Sequence, residues 1–270
     1  MKKRVLKISL VVVLFMVYAA TLFANEKNGP QGSTNAFAKY YGQVIPSSVK
    51  GAQDALLFID FEVQDGKIPE ALVSLGYTVK VATDWYDFSS KLNSGSYGLA
   101  VGFNQNDPWG SWKPGLLSAL TNYIAGGGAV VFNDWQSDND FAILFQASFM
   151  GNENQTIMNL DPSIETNLPN PITLVKHSWT VFSTGLTTTG GAEVLATFAN
   201  GDAAIVRGNV GKTIILGYLT DTPPAANRQQ LFENLFEAVA PSVPLTNWAL
   251  GFGLLLMVTF LVVRFRRSIF

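Results

Sequence analysis

The first half of the chain alternates short apolar runs with amphipathic segments. Residues 55–60 form a continuous apolar run that ends in an acid, which is typical of a strand buried on both faces of a parallel sheet. Further strands are predicted at 77–82, 97–103 and 129–132, and helices at 68–75, 87–92 and 115–124. This alternation predicts an α/β domain, a three-layer sandwich with a mostly parallel sheet.

The second half is less regular and predicts antiparallel pairing. Residues 139–149 are expected to be helical, and residues 152–171 are polar and rich in proline, so we expect an irregular excursion there. A Gly-Asn-Val-Gly turn at 208–211 separates two apolar runs and predicts a C-terminal antiparallel hairpin. Its strands are expected at 203–207 and 212–218, with another strand at 193–198 and a last helix at 227–239.

Both ends of the chain carry long apolar runs. At the N terminus, basic residues precede an apolar core at 8–23, which is the layout of a secretory signal peptide spanning residues 1–24. An uncleaved membrane anchor is the alternative. Residues 25–53 are rich in Asn, Gly, Ser and Gln and are interpreted as a linker. The globular domain is therefore predicted to span residues 54–240.

The C-terminal segment, residues 241–270, has three parts. A short motif is followed by an apolar run at 248–263, whose 16 residues lie near the lower limit for a helix that crosses a bilayer. A basic cluster ends the chain and is expected to stay on the cytoplasmic side. The defining residues are Val243, Pro244, Leu245, Asn247 and Trp248 in the motif and Arg264, Arg266 and Arg267 in the cluster.

Charge and composition exclude several classes of function. The chain has 18 Lys and Arg against 20 Asp and Glu. Leaving out four cations of the leader and three of the tail gives 11 against 20, a net charge of −9 for the exported part. Such an acidic domain argues against nucleic acid as a partner. The absence of cysteine excludes disulfides and thiolate nucleophiles, and the single histidine, His177, excludes a multi-histidine metal site within one chain.

Three segments along the chain, at 120–132, 176–186 and 204–217, follow one another in the order found in a known superfamily. Residues 120–132 resemble the helix, glycine and strand segment of class I glutamine amidotransferase-like domains. Residues 176–186 are similar to its segment of the type His-Pro-hydrophobic-x-x-Gly-Leu, with Ser178 where proline is usual, and residues 204–217 are similar to its closing hairpin. The resemblance covers about residues 54–240 and implies a flavodoxin-like fold.

The resemblance does not extend to the chemistry of that superfamily. Its catalytic members have a cysteine on the turn after the strand that matches 129–132, whereas this chain has Asn133, Asp134 and Trp135 there. A glutaminase mechanism that requires a thiolate is therefore excluded. The resemblance implies a fold and the position of a pocket, not an activity.

The tail resembles the exosortase-type C-terminal sorting signals of Gram-negative bacteria. Those signals place a short motif containing proline before a membrane span and an arginine cluster, although the Pro-Glu-Pro triplet of the best-known group is absent here. The resemblance implies a sorting peptidase as a partner and delivery to the cell surface. A plain single-span anchor, with the domain outside the cytoplasm, is the alternative.

The loop after the fourth strand is the first candidate site. Asn133, Asp134 and Trp135 leave the edge of the sheet where α/β proteins bind ligands. Asp134, Asp138 and Asp140 offer carboxylate oxygens of the kind that Ca²⁺ prefers, without the spacing of an EF-hand. The alternative is that these acids cap the next helix and satisfy backbone N–H groups of the turn. No other cofactor is expected.

Further carboxylates follow other strands at the same edge. Asp60 and Glu62 end the first strand, and a carboxylate pair of this kind serves as acid and base in glycosidases. Asp221 follows the last strand, as a candidate ligand-binding residue or as a turn former. The alternative for all three residues is a solvated or structural carboxylate. His177, the only imidazole, is expected to be structural because no nucleophile or orienting acid is evident beside it.

Two tryptophans lie among amides after the third strand. Asn104, Trp109 and Trp112 have a composition suited to binding a glycan or a peptide through stacking and hydrogen bonds. The alternative is that the two rings cover the following helix.

The sequence therefore favours a non-catalytic domain for binding or envelope assembly. The alternatives are a carboxylate-based glycan hydrolase and a component of an envelope complex.

Overall fold

The structure is a computed structural model that describes residues 54–239. In chain order its strands are β1 (Asp54–Ile59), β2 (Thr78–Val81), β3 (Leu99–Asn104), β4 (Ala129–Asp134), β5 (Ala147–Glu153), β6 (Ile157–Leu160), β7 (Ile172–Thr173), β8 (Thr184–Thr188), β9 (Glu193–Phe198), β10 (Ala203–Gly208) and β11 (Thr213–Leu216). The helices are α1 (Ile68–Ser74), α2 (Trp85–Ser94), α3 (Lys113–Ala125), α4 (Asn139–Ala142) and α5 (Ala225–Val239).

The parallel half of the sheet has the strand order β2–β1–β3–β4–β11. Every residue of β3 and β4 is buried. Continuous apolar strands of this kind are stable only where helices cover both faces of the sheet. The strands of this half all point the same way, so their carboxyl ends meet along one edge, here called the carboxyl edge. The opposite edge is called the amino edge.

Helices cover both faces, as the alternation along the chain predicts. On one face α1 and α5 pack against the strands, and Phe103 of β3 lies 5.8 Å from Phe232 of α5 between ring centres. On the other face α2 and α3 pack together, and Trp85 of α2 lies 6.2 Å from Phe132 of β4. The prediction of an α/β domain with a parallel sheet flanked by helices is confirmed.

The antiparallel half is larger than the predicted hairpin. β10 pairs with β11 in the antiparallel sense, as expected, with Val206 opposite Ile215. The sheet then continues through β9, β6 and β7, while β8 pairs with both β10 and β5. The domain is therefore parallel on one side of β11 and antiparallel on the other.

The helix predicted at 139–149 is wrong over most of its length. The chain forms the short α4, one 3-10 turn at Ile143–Phe145, and then the strand β5. Gln146 stops the helical path because its φ is 58°, in the left-handed region. Its side-chain oxygen accepts a hydrogen bond from Asn209 N at 2.7 Å, so a contact distant in sequence fixes this turn.

The prediction of an irregular excursion at 152–171 is only partly correct, because β6 lies within it. Asn170 explains how a short strand persists among polar residues. Its amide accepts from Leu160 N and donates to Leu160 O, both at 2.9 Å, and so continues the pairing of β6 beyond the two residues of β7.

The expectations for the two chain ends concern residues outside the described range. The leader, the linker and the sorting tail all lie beyond residues 54–239. Between Asp54 and Val239, no helix is both long enough and apolar enough to span a bilayer.

Candidate functional site

Asp60, at the end of β1, anchors the loop that follows β3. Its Oδ1 accepts from Phe61 N at 2.8 Å and Gln105 N at 2.7 Å, and its Oδ2 accepts from Asn106 N at 2.6 Å and Asp107 N at 2.5 Å. Burial raises the pKa of Asp60, while the backbone donors act in the opposite direction. Four N–H groups of its own chain thus occupy this carboxylate.

Asp221, after β11, anchors the loop that follows β1. Its Oδ2 accepts from Val63 N and Gln64 N, both at 2.9 Å, and its Oδ1 accepts from Trp179 Nε1 at 2.8 Å. The residue is fully buried. A buried carboxylate is stable only with such partners, so Asp221 is a structural clamp between three segments that are distant in sequence.

Asp134, at the end of β4, organises its own turn. It accepts from Gln136 N at 3.1 Å, Asp138 N at 2.7 Å and Asn104 Nδ2 at 3.0 Å. Burial raises the pKa of Asp134 to about 7, against the opposing effect of these donors. The carboxyl therefore titrates close to neutral pH, although its contacts are those of a turn-forming residue.

The turn after β4 offers no activated nucleophile among the described residues. The nearest residue with a positive φ is Ser137, at 57°. Within residues 54–239, no hydrogen bond joins the hydroxyl of Ser137 to a base. A hydroxyl nucleophile requires such a base, so the strained turn by itself does not indicate acyl transfer.

Glu62, which is half-buried like Asp60, differs from the other strand-end carboxylates because it contacts a hydroxyl group. Its Oε1 lies 2.6 Å from Thr220 Oγ1, which also lies 3.0 Å from Gln105 Oε1. The single hydroxyl proton of Thr220 can be donated to only one of these two oxygens. Burial raises the pKa of Glu62, with Thr220 and the N–H of Gly66 acting in the opposite direction.

Gln105 joins the loops after β3, β1 and β11. Its Nε2 donates to Phe61 O at 2.7 Å, and its Oε1 accepts from Thr220 N at 2.7 Å. The side chain is buried. The sequence analysis missed this residue because a glutamine within Asn-Gln-Asn-Asp is typical of an exposed loop.

Arg228 and His177 form a second connection between loops. Arg228 is buried and donates to Pro223 O at 2.7 Å and Asp65 O at 2.8 Å. Its Nη2 lies 3.2 Å from His177 Nε2, which in turn lies 3.0 Å from Asp221 O. Nε2 can accept from Arg228 or donate to Asp221 O, but not both at once. These contacts support a structural role for His177.

The two tryptophans after β3 pack against other aromatic rings. Trp112 stacks on Trp85 with 5.2 Å between ring centres, and Trp109 stacks on Phe141 at 4.5 Å. Lys113 Nζ lies 5.8 Å from the centre of the Trp109 ring. The rings therefore pack against α2 and α4, and Trp109 lies beside Lys113 of the following helix α3.

Asn133 and Trp135, also predicted as site residues, point toward the core. Asn133 Nδ2 donates to Leu216 O at 3.2 Å and to Tyr218 O at 2.9 Å, which ties β4 to the end of β11. Trp135 is partly buried and packs against the main core. The structure thus places Asp60, Glu62, Asn104, Asp134 and Asp221 along one edge as predicted, but most of them are occupied by protein donors.

The carboxylates proposed for Ca²⁺ have other partners. Asp138 and Asp140 both contact Lys113 Nζ, the latter at 2.8 Å, and Asp138 also caps α4 by accepting from Asp140 N at 2.9 Å. Within residues 54–239, no group of three or more His, Cys, Asp and Glu side chains is arranged to hold a metal ion.

The carboxyl edge exposes one aromatic ring among polar residues. Phe61 is 47% exposed and meets the buried Trp179 edge to face, with 5.6 Å between ring centres. The hydrogen bonds of Asp60, Gln105 and Asp221 fix the backbone on both sides of this ring. The sequence analysis missed Phe61, whose exposure depends on those distant contacts.

An open groove of about 520 Å³ lies elsewhere, beside β2. None of the strand-end residues described above lines it. Its lining residues are Asp54, Val79, Lys80, Val81, Lys91, Gly95, Ser96 and Tyr97. A four-residue edge strand carrying a lysine is a common protection against unwanted strand pairing, so we assign the groove no chemistry.

Comparison with known proteins identifies similar folds only. No family profile matches the chain, and no curated protein matches it. Among solved structures, a protein from Thermoplasma acidophilum described as part of a GMP synthase is similar at 14% identity and a TM-score of 0.50, over 69% of this chain and 92% of that one.

Two further structures have lower TM-scores. A glutamine amidotransferase from Thermotoga maritima is similar at 12% identity and a TM-score of 0.42, over 68% of this chain and 81% of that one. A β-galactosidase from Marinomonas ef1 is similar at 13% identity and a TM-score of 0.43, over 69% of this chain and 29% of that one. Together with the sheet topology, the first structure shows that residues 54–239 share the α/β fold of that GMP synthase protein.

Proposed function

We propose that this chain is an exported, membrane-tethered or surface-sorted domain that binds a partner in the cell envelope and does not catalyse a reaction. The supporting observation is that Asp60, Asp134 and Asp221 are each satisfied by N–H donors of the same chain. Carboxylates held in this way stabilise loops and are not free to activate a substrate or a water molecule. The lack of cysteine in the whole chain agrees with this function.

The surface that we assign to binding is centred on Phe61. A ring that is exposed yet fixed by its neighbours loses little conformational entropy on contact, which favours binding. Asn106, Asp107 and Gln64 are exposed nearby and can donate or accept hydrogen bonds. This combination suits a glycan or a peptide of the envelope as the partner.

Binding can be tested with the full chain on glycan and peptide arrays, with and without Ca²⁺. We expect specific signals that do not need Ca²⁺ and that Phe61→Ala abolishes. Val73→Ala is the matched control, since Val73 is 60% exposed on α1, away from this edge. Signals that persist in Phe61→Ala would show that another surface binds the partner.

A carboxylate-based glycan hydrolase is the alternative, and one observation favours it. The carboxylate of Glu62 is half-buried, contacts the hydroxyl of Thr220, and has a raised pKa. A raised pKa suits a general acid. Release of sugar from an array glycan by the wild-type chain, lost in Glu62→Gln but retained in Glu70→Gln, would establish the hydrolase and refute the non-catalytic proposal.

The sorting part of the proposal rests on the sequence of the tail. The motif around Pro244 and Trp248 precedes the apolar run and the terminal arginines. We expect a sorting peptidase to remove the residues after about Asn247. Intact-mass analysis of the mature protein measures this directly, and a mature chain that ends at Phe270 would leave a plain membrane anchor.

A further inference from the structure

Val210 is the residue whose conformation the packing of the domain explains least. It lies in the turn between β10 and β11, where its φ is 55° and its side chain is completely exposed. A β-branched residue in the left-handed region is a genuine outlier, because its Cβ substituents crowd the backbone. Glycine or asparagine is the usual residue at such a position.

The surrounding contacts hold this turn in its strained shape. Asn209, Val210 and Gly211 all have positive φ, and Gly211 N donates to Gly208 O at 3.0 Å. Asn209 donates its backbone N–H to Gln146 Oε1 at 2.7 Å and its amide to Leu144 O at 2.8 Å. These hydrogen bonds constrain the turn on both sides of Val210.

Folding gains nothing from this side chain. Apolar groups stabilise a fold by leaving water, and Val210 stays fully in water. Ile143, in the segment that holds the turn, is 58% exposed as well. Lys212 follows two residues later and makes no ion pair within the described part of the chain. A strained, exposed apolar residue beside a cation indicates a contact outside the domain.

The turn lies on the amino edge, where the chain both enters and leaves the domain. Lys212 O accepts from Val130 N, near the start of β4, at 3.0 Å. Asp54 begins β1 at the same edge. Near the start of α5, Arg228 contacts the loop after β1, on the carboxyl edge. Farther along, Glu233 contacts Ser74 at the end of α1. The helix therefore runs toward the amino edge, where it ends at Val239.

The length of chain beyond Val239 limits how far this edge can lie from the bilayer. Eight residues, 240–247, separate the end of α5 from the apolar run that starts at Trp248. Fully extended, they span about 28 Å at most. The carboxyl edge lies farther away by the length of a strand, about 20 Å for six residues.

We propose that Val210 rests on the lipid surface and orients the domain, so that the amino edge faces the bilayer and the carboxyl edge faces the partner. This inference rests on the proposed membrane tether. A single valine beside a lysine binds lipid too weakly to hold a protein on its own, but the tether keeps the turn at high local concentration near the surface. The orientation would then leave Phe61 free to bind.

The absence of cysteine makes the orientation directly measurable. Single-cysteine variants Lys212→Cys, beside the turn, and Asn106→Cys, on the carboxyl edge, carry a nitrobenzoxadiazole label in the full chain. The chain is reconstituted in vesicles of phosphatidylcholine and phosphatidylglycerol that contain a headgroup spin label. We expect blue-shifted emission and severalfold stronger quenching for the label at 212. Val210→Asn, which tolerates the same φ, should reduce that quenching to the level at 106.

Flotation of the vesicles separates failure of the tether from failure of the orientation. A chain that does not float with the vesicles refutes the tether and this inference together. A chain that floats, but is quenched equally at 212 and 106, refutes the orientation alone. Unchanged quenching in Val210→Asn shows that the tail orients the domain without the valine. A label at 212 that is shielded from aqueous iodide but not quenched by lipid indicates a protein contact, which also refutes the proposal.

Discussion

The two edges of the parallel half use polar and apolar residues in opposite ways. On the carboxyl edge, Asp60, Asp221, Gln105 and Arg228 bridge loops that are distant in sequence, and all of these side chains except the half-buried Asp60 are buried. On the amino edge, the turn at Val210 leaves an apolar side chain in water and keeps strained dihedral angles. The comparison teaches that a cluster of charged residues at a strand end is not by itself a site, while a residue that costs stability can mark one.

The largest effect that we predict on the free energy of unfolding is a dependence on pH that comes from Asp134. Its folded pKa is raised from 3.8 to about 7, so the folded chain binds this proton more tightly than the unfolded chain does. Its contribution to the free energy of unfolding should therefore be greatest below pH 4, fall as pH rises to 7, and stay constant above that. The shift corresponds to a change of about 4 kcal/mol.

Denaturant unfolding of the wild type and of Asp134→Asn, measured from pH 4 to pH 8, isolates this contribution as the difference between the two profiles. Asp107→Asn changes an exposed side chain on the same edge and should follow the wild-type profile. A difference between wild type and Asp134→Asn that does not vary with pH would mean that the backbone donors hold the carboxylate ionised throughout.

Asp221→Ala should give the next largest effect. The substitution removes the acceptor of Val63 N, Gln64 N and Trp179 Nε1 in a fully buried setting. Leaving these donors unpaired should lower the free energy of unfolding by about 3 kcal/mol or more. Asp140→Ala is the control, because it removes only a surface ion pair with Lys113 and should cost less than about 1 kcal/mol. Equal losses would contradict the assignment of Asp221 as a clamp.

Gln105→Leu tests whether a neutral side chain on the carboxyl edge is also structural. Leucine keeps the volume but leaves Thr220 N and Phe61 O without their partner. We expect a loss of about 2 kcal/mol in the free energy of unfolding. Gln136→Leu, which removes one exposed contact to Asp107 O at 3.1 Å, should change it little. A stable Gln105→Leu variant would show that water replaces both contacts.

The sequence predicts the parallel half well, because continuous apolar runs such as β1 and β4 report burial on two faces. It also predicts that Asp60, Asp134 and Asp221 lie at one edge, because parallel strands share their direction. It does not predict what these residues contact. Gln105 and Thr220 are 115 positions apart, and only the folded sheet brings them together. The strand β5 was missed for the same reason, since Asn209 fixes Gln146 from 63 positions away.

The smallest predicted effect is on the amino edge, where a substitution should raise the free energy of unfolding rather than lower it. Val210→Gly should raise the free energy of unfolding by about 1 kcal/mol. The left-handed conformation costs a residue with a Cβ atom roughly 1–2 kcal/mol, and glycine avoids this cost. The greater flexibility of glycine in the unfolded chain offsets part of the gain. Val210→Ala, which keeps the Cβ but not the branch, should lie between the two in a thermal or denaturant unfolding series. If the wild type is the most stable of the three, Val210 contributes to folding after all, and the contrast between the two edges disappears. If the glycine variant is the most stable, the chain keeps at this turn a residue that weakens its own fold. That result would support a role for Val210 in a contact outside the domain.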